Sequence, residues 1–106
     1  MDPKLFNKST TFDDDQIVVK DSAKKHEAEF SNGRRKPTDA DIRTAFRAAV
    51  KYGGVPTQEA DKTWKWEESG MDNSQKPPRV RKRNNICFSV ENNKAAVFHY
   101  HKGFYG

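Results

Sequence analysis

The residues that could do chemistry crowd into the last third of the chain. His99 and His101 flank Tyr100 in "KAAVFHYHK", and upstream "RVRKRNNICFSV" places Arg79, Arg81 and Arg83 at alternate positions. Both runs alternate apolar and polar residues, which predicts two β-strands meeting at "ENNK". Residues two apart in a strand share a face. An open face carrying arginine and histidine holds the groups that RNA backbone cleavage needs. The 2′-hydroxyl attacks the adjacent phosphate, a base removes its proton, an acid protonates the leaving oxygen, and cations stabilise the charged transition state. Histidine titrates near pH 6.5 and can take either proton role. That route uses no metal and no cofactor.

Which residues share that face depends on the turn. A two-residue Asn92-Asn93 turn pairs Glu91 with Lys94 and sets Ile86 opposite His99. A three-residue turn pairs Val90 with Lys94, Ile86 with Phe98 and Arg83 with His101. The second arrangement is favoured, because it unites Ile86, Phe88, Phe98 and Tyr100 in one core. The arginines and both histidines then lie opposite, and a slip of one residue reverses every side chain.

Two other chemistries compete. His-x-His points two imidazoles the same way, and His26 or Asp13–Asp15 could complete a zinc site. Lys102 and the arginines oppose a divalent cation there, so no metal is expected. Cys87 lies mid-strand without an acid–base partner nearby in sequence and reads as a structural thiol. As the single cysteine, it excludes an internal disulfide and fits a reducing compartment. The sequence contains no Gly-rich phosphate loop, CxxC pair or serine nucleophile motif.

The elements that must position these residues come earlier. Residues 1–15 end in "DDD" and read as a flexible N-terminal arm. "QIVVK", 16–20, predicts a short strand. "SAKKHEAEF", 22–30, predicts a helix carrying His26, and "SNGRRK" a turn. "PTDADIRTAFRAAVKYGG" predicts a helix over 38–52, capped by Thr38, with Ile42, Ala45, Phe46, Ala49 and Val50 on its buried face. Arg43, Arg47 and Lys51 form a basic stripe on another face, a solvated one on the simplest reading, though it could also lie along phosphates. "KTWKWEES", 62–69, predicts a strand, and 69–78 a long polar connection. The expected fold is α+β, in one domain over 16–106. An N-terminal strand and two helices pack on one face of a C-terminal antiparallel sheet of three to four strands.

Charge supports an anionic partner. Residues 76–106 hold seven basic residues against Glu91 alone, net +6, while the preceding 75 hold thirteen basic and fourteen acidic, net −1. A field so localised suits nucleic acid. No apolar run reaches membrane-spanning length, and the N-terminus lacks the apolar stretch of a signal peptide. The chain is also compatible with being a C-terminal fragment of a larger secreted protein.

The layout, together with "RVRKRNNICFSVENNKAAVFHYHKGFYG" and "SAKKHEAEFSNGRRKPTDADIRTAF", resembles the small metal-independent RNase-toxin superfamily. That group includes RelE-like toxins and the nuclease domains of some colicins and contact-dependent inhibition toxins. The likeness spans roughly 16–106 as a pattern rather than a strict motif. It implies helices before an antiparallel sheet whose concave face cuts RNA, either tRNA or rRNA, in the cytoplasm. It also implies an acidic immunity or antitoxin protein as partner. By position it matches His26, Arg83, His99 and His101 to catalytic roles.

Two other functions remain open on sequence alone. One is a non-catalytic RNA- or DNA-binding module of phage or viral type. There Arg79, Arg81, Lys82 and Lys102 would contact phosphates, as Arg43, Arg47 and Lys51 could, while Trp66, Phe98 or Tyr100 would stack on bases. The other is a small interaction protein that docks its basic face on an acidic partner.

Overall fold

The computed structural model describes residues 11–104, the side chains of Asp72, Val80, Arg81, Lys82 and Phe104 excepted. Strands dominate. In chain order they are β1 (Ile17–Val19), β2 (Ala28–Phe30), β3 (Gly33–Arg35), β4 (Thr57–Ala60), β5 (Thr63–Asp72), β6 (Arg79–Glu91) and β7 (Lys94–Phe104). One α-helix, α1 (Asp39–Tyr52), stands among the described residues. A five-stranded sheet runs β1-β7-β6-β5-β4, and β2 and β3 form a separate hairpin. The sheet is mixed, because β1 runs parallel to β7 while the other pairs are antiparallel.

This corrects the expected two helices on an antiparallel sheet of three to four strands. The segment 22–30 does not form an α-helix. It opens with a 3-10 turn, Asp21–Lys24, and then extends as β2, which pairs with β3 across Ser31-Asn32. Its apolar residues explain this. Ala28 and Phe30 are two apart, on one face of a strand, and too few to stripe a helix. β4 was also not expected. It pairs with β5 through a turn at Asp61-Lys62, where Lys62 takes a φ of 63°. The polar connection shrinks, because β5 runs on to Asp72 and β6 begins at Arg79.

α1 forms where its sequence places it. The Thr38 hydroxyl accepts the Asp41 N–H (3.2 Å), and the Asp41 carboxylate accepts the Thr38 N–H (2.8 Å), a reciprocal cap. Ile42, Phe46 and Val50 are buried, with Ala45 and Ala49 against the same core. Phe46 sits at the centre. Its ring meets Phe12, Trp66 and Phe88 edge-on at 5.4, 5.6 and 5.1 Å between centroids. Trp66 in turn stacks on Phe88 at 4.8 Å and donates its indole N–H to the Gly54 carbonyl (2.9 Å). Of the expected N-terminal arm, residues 1–10 lie outside the described residues, whereas Phe12 is buried in this core.

The β6–β7 hairpin turns on two residues. Asn92 and Asn93 have φ of 52° and 60°, and Glu91 pairs with Lys94. This is the shorter turn, not the favoured longer one. Asparagine tolerates the left-handed geometry that a twist-matched two-residue turn demands. That register alone would set Ile86 opposite His99. A β-bulge intervenes: Phe88 pairs with Val97 but Cys87 pairs with His99, so Phe98 is the extra residue. Beyond it Ile86 pairs with Tyr100, and Asn85 with His101. Val97, Tyr100, Ile86 and Phe88 are buried, and Phe98, expected in the core, is 37% exposed. The hairpin thus combines the turn of one expected register with the facial sorting of the other.

Phe46→Ala should cost about 3–5 kcal/mol, since it empties the centre of an aromatic cluster. Tyr52→Ala, at a side chain 78% exposed, should stay within about 0.5 kcal/mol. Denaturant unfolding of the two variants checks both values.

Candidate functional site

One side of the sheet carries α1. The other is open, and the bulge sends His99 and His101 to it. Cross-strand pairing sets them beside Cys87 and Asn85, with Arg83 opposite Gly103 one step further. The third histidine arrives from the far end of the chain. Lys20 donates its N–H to the Val97 carbonyl (2.9 Å), and the Ser22 hydroxyl donates to the Phe98 carbonyl (2.7 Å). The segment after β1 therefore follows the free edge of β7. His26 reaches within 6.0 Å of His99 and 6.2 Å of His101, measured between ring centroids.

Two ion pairs hold this segment to the start of α1. Lys24 binds Asp39 at 2.7 Å, and the Arg35 guanidinium grips both Asp41 oxygens at 2.6 and 3.2 Å. Bidentate geometry makes the second pair the stronger. Arg35 also covers the Phe30 ring at 3.9 Å. Backbone shape does the rest. Gly103 has φ of 138°, and a Cβ there would meet the Glu29 Cγ at 3.1 Å. The positive φ favours glycine here, and any larger residue would also push the Glu29 side chain aside by a few tenths of an ångström.

The electrostatics are those of a crowded cationic site. Burial lowers the His99 pKa, and nearby His26 and Arg83 lower it further. Burial also lowers His101, followed by His26, His99, Arg83 and Arg34. Each imidazole is therefore held neutral more firmly than in water. Cys87 stays a thiol, because burial raises its pKa. It donates to the Asn85 carboxamide oxygen at 3.3 Å. Tyr100 is buried on the helix side, and burial with Asp41 nearby keeps its phenol protonated. Among the described residues, no three His, Cys, Asp or Glu side chains lie close enough to share a metal ion.

The structure brings together His26, His99, His101 and Arg83. It separates most of the remaining basic and aromatic residues from them. Arg43 donates to the Ile17 carbonyl (3.0 Å), and Arg47 to the Phe12 carbonyl (3.1 Å) and the Asp14 carboxylate. Both tie the N-terminal segment to α1 rather than lining the open face, and Lys51 lies 5.2 Å over Tyr52 on the same helix. Trp66 and Tyr100 face α1, and Lys102 lies 6.0 Å over Phe30. A second bulge, between Gly70 and Met71 on the β5 side, makes Arg81 the unpaired residue of β6. Arg79 thereby falls on the side opposite Arg83 instead of in line with it. The side chains of Arg81 and Lys82 lie outside the described residues. Arg34 is the site residue that the sequence did not reveal. It stands opposite Glu29 in the β2–β3 hairpin, and nothing in "GRRK" marks one arginine over the other without that pairing.

An open groove of about 650 Å³ lies elsewhere, between α1 and the sheet, lined by Tyr52, Val55, Trp66, Ile86, Tyr100 and Lys102 among others. It holds no imidazole.

Acid should lower the stability of the protein in two stages. A group whose folded-state pKa is lowered binds more protons when unfolded, so its stabilisation is complete above the unfolded pKa and is lost as pH falls. His99 and His101 set the first loss, beginning below about pH 6.5. Asp41, held far below the usual carboxylate range by Arg35 and the Thr38 cap, sets a second below about pH 4. Denaturant midpoints followed against pH should show both. His99→Gln with His101→Gln should remove the first, and Asp41→Asn should shrink the second while lowering stability at neutral pH by about 1–2 kcal/mol. No protein-family model, curated protein or solved structure matches this chain.

Proposed function

We propose that this protein is a metal-independent endoribonuclease whose active face is the open side of β6 and β7. The observation that carries the reading is convergence. Three imidazoles from chain positions 26, 99 and 101 gather within about 6 Å, on a face shared with Arg83. A structural histidine needs no such company, and perturbed titratable groups gathered beside Arg83 are what a site for an anionic substrate would require.

The chemistry follows from the pKa directions. A neutral imidazole of the His99/His101 pair takes the 2′-hydroxyl proton as the oxygen attacks phosphorus. The other, protonated, gives its proton to the departing 5′-oxygen, leaving a 2′,3′-cyclic phosphate. Arg83 balances the charge on the phosphoryl oxygens in the transition state, and His26 offers a further hydrogen-bonding group beside them. An acidic inhibitor protein of the immunity or antitoxin kind would seat on the same basic face, and the site of action would be wherever RNA is exposed, the cytoplasm first.

Because burial and neighbouring cations lower both pKa values, one imidazole is protonated only on the acid side of neutrality. For the free enzyme, kcat/KM on RNA should therefore peak below about pH 6.5. His99→Ala and His101→Ala should each lower cleavage about 10²–10⁴-fold with the fold retained, and Arg83→Ala about 10²–10³-fold. Chelator should change nothing. Gel assays on total tRNA and rRNA, with circular dichroism of each variant, measure these effects. Wild-type protein that leaves both RNAs intact, with and without added divalent metal, rejects the nuclease reading.

A further inference from the structure

The bulge on β7 leaves an aromatic ring in water beside the imidazoles. Val97 is fully buried and Tyr100 nearly so, while Phe98 is 37% exposed and takes no part in the core. One inserted residue lets two successive side chains leave the same side of a sheet. With Val97 inward and His99 outward, Phe98 joins His99 on the open face. The backbone at this point is pinned by the Lys20 and Ser22 hydrogen bonds to the Val97 and Phe98 carbonyls, so the ring has a fixed root. Val18, likewise 37% exposed, stands opposite Ala96 on the same side.

Along β7 the open face thus changes character in a definite order. Apolar surface from Val18, Ala96 and Phe98 comes first, then His99, then His101 with Arg83. Arg83 acts on both imidazoles, and Arg34, itself paired with Glu27 at 4.0 Å, acts on His101, so the cations stand at the imidazole end of the face and the apolar surface at the Phe98 end. A nucleotide has the same polarity, with a flat apolar base at one end and an anionic phosphate at the other.

We propose that Phe98, flanked by Val18 and Ala96, is the platform on which an unpaired base of single-stranded RNA stacks while the adjoining phosphate lies against His99, His101 and Arg83. This rests on reading the histidine cluster as the phosphate site. Base–aromatic stacking is strong, tolerates any base, and requires one that is free of a duplex. The platform therefore confers selectivity for single-stranded over paired RNA rather than for a particular sequence. Trp66 and Tyr100, the other two aromatics expected from sequence to stack on bases, face α1 and cannot serve.

The test uses a short single-stranded 2′-O-methyl oligoribonucleotide carrying one 2-aminopurine. It has no free 2′-hydroxyl, so binding is read without cleavage. Wild-type protein should bind it and change its fluorescence. Phe98→Ala should weaken binding about tenfold and abolish the fluorescence change, whereas Phe98→Tyr and Phe98→Trp keep both. An otherwise identical strand with an abasic residue at the reporter position should bind the wild type and Phe98→Ala alike. Circular dichroism should report an unchanged fold, since Phe98 lies outside the core. Should Phe98→Ala fail to fold, Phe98→Leu keeps the apolar bulk without the aromatic face and must show the same loss. Unchanged binding by a folded Phe98→Ala or Phe98→Leu, or equal weakening on the abasic strand, overturns the platform. Loss of stacking at Phe98 in a protein that cuts no RNA would sink the nuclease reading and leave the platform standing. RNA cleavage indifferent to Phe98, with binding indifferent too, would do the reverse.

Discussion

The single extra residue at Phe98 governs the rest of the molecule. The Asn92-Asn93 turn favours one register, and the apolar residues of β6 and β7 require the other. A continuous ladder satisfies one of them only, because a shift of one position exchanges the faces. The bulge satisfies both. It keeps the left-handed asparagine pair, leaves Ala95 and Val97 inward next to the turn, and turns Tyr100 inward beyond it. Without it, His99 and His101 would lie toward Phe46 and Tyr100 would lie in water. The core and the open basic face are consequences of the same insertion.

The second constraint is the edge of β7. β1 covers it only from Ala95 to Val97, and a bare edge beyond that would leave backbone groups unmatched. The chain after β1 fills the gap with a 3-10 turn and the β2–β3 hairpin, which lie against β7. Pairing with β7 and the burial of Ile17 place β1, and Arg43 and Arg47 fasten it, each donating from α1 to a carbonyl of the N-terminal segment. Two of the three residues in a stripe that looks like a solvated helix face are thereby consumed in holding the N-terminal segment to the helix. Lys24 and Arg35 then fasten the continuation to Asp39 and Asp41. Four basic side chains on the helix side place one histidine on the other.

What could be read from the sequence was what depends on short-range pattern. The cap at Thr38, the buried stripe from Ile42 to Val50 and the two long C-terminal strands all follow from spacing along the chain. His26 joined His99 and His101 by resemblance rather than by derivation, since nothing local links positions 26 and 99. The parallel pairing of β1 with β7 is long-range and leaves no local mark. Three-residue strands such as β2 and β3 are too short for periodicity to speak. Bulges are invisible in alternation counts, yet the one at Phe98 decides which way the histidines face and the one at Arg81 decides which arginines join them. Arg83 stays with the histidines, whereas Arg79, in perfect alternation with it, does not.

These differences in anchoring divide the site into a rigid part and an adjustable one. His99, His101 and Arg83 stand on the two longest strands of the sheet, whose backbone is paired along its length. Their mutual geometry is as fixed as the sheet. His26 stands on a connection between a 3-10 turn and a short hairpin, and its tethers are ion pairs with partly exposed side chains. Surface pairs of this kind contribute little each and weaken with salt. His26 already lies 6.0 Å from His99, so only small movements of the hairpin edge are needed to widen or narrow the space between them. For the proposed cleavage, the sheet would supply the alignment that proton transfer requires, and the hairpin the give that lets a backbone enter.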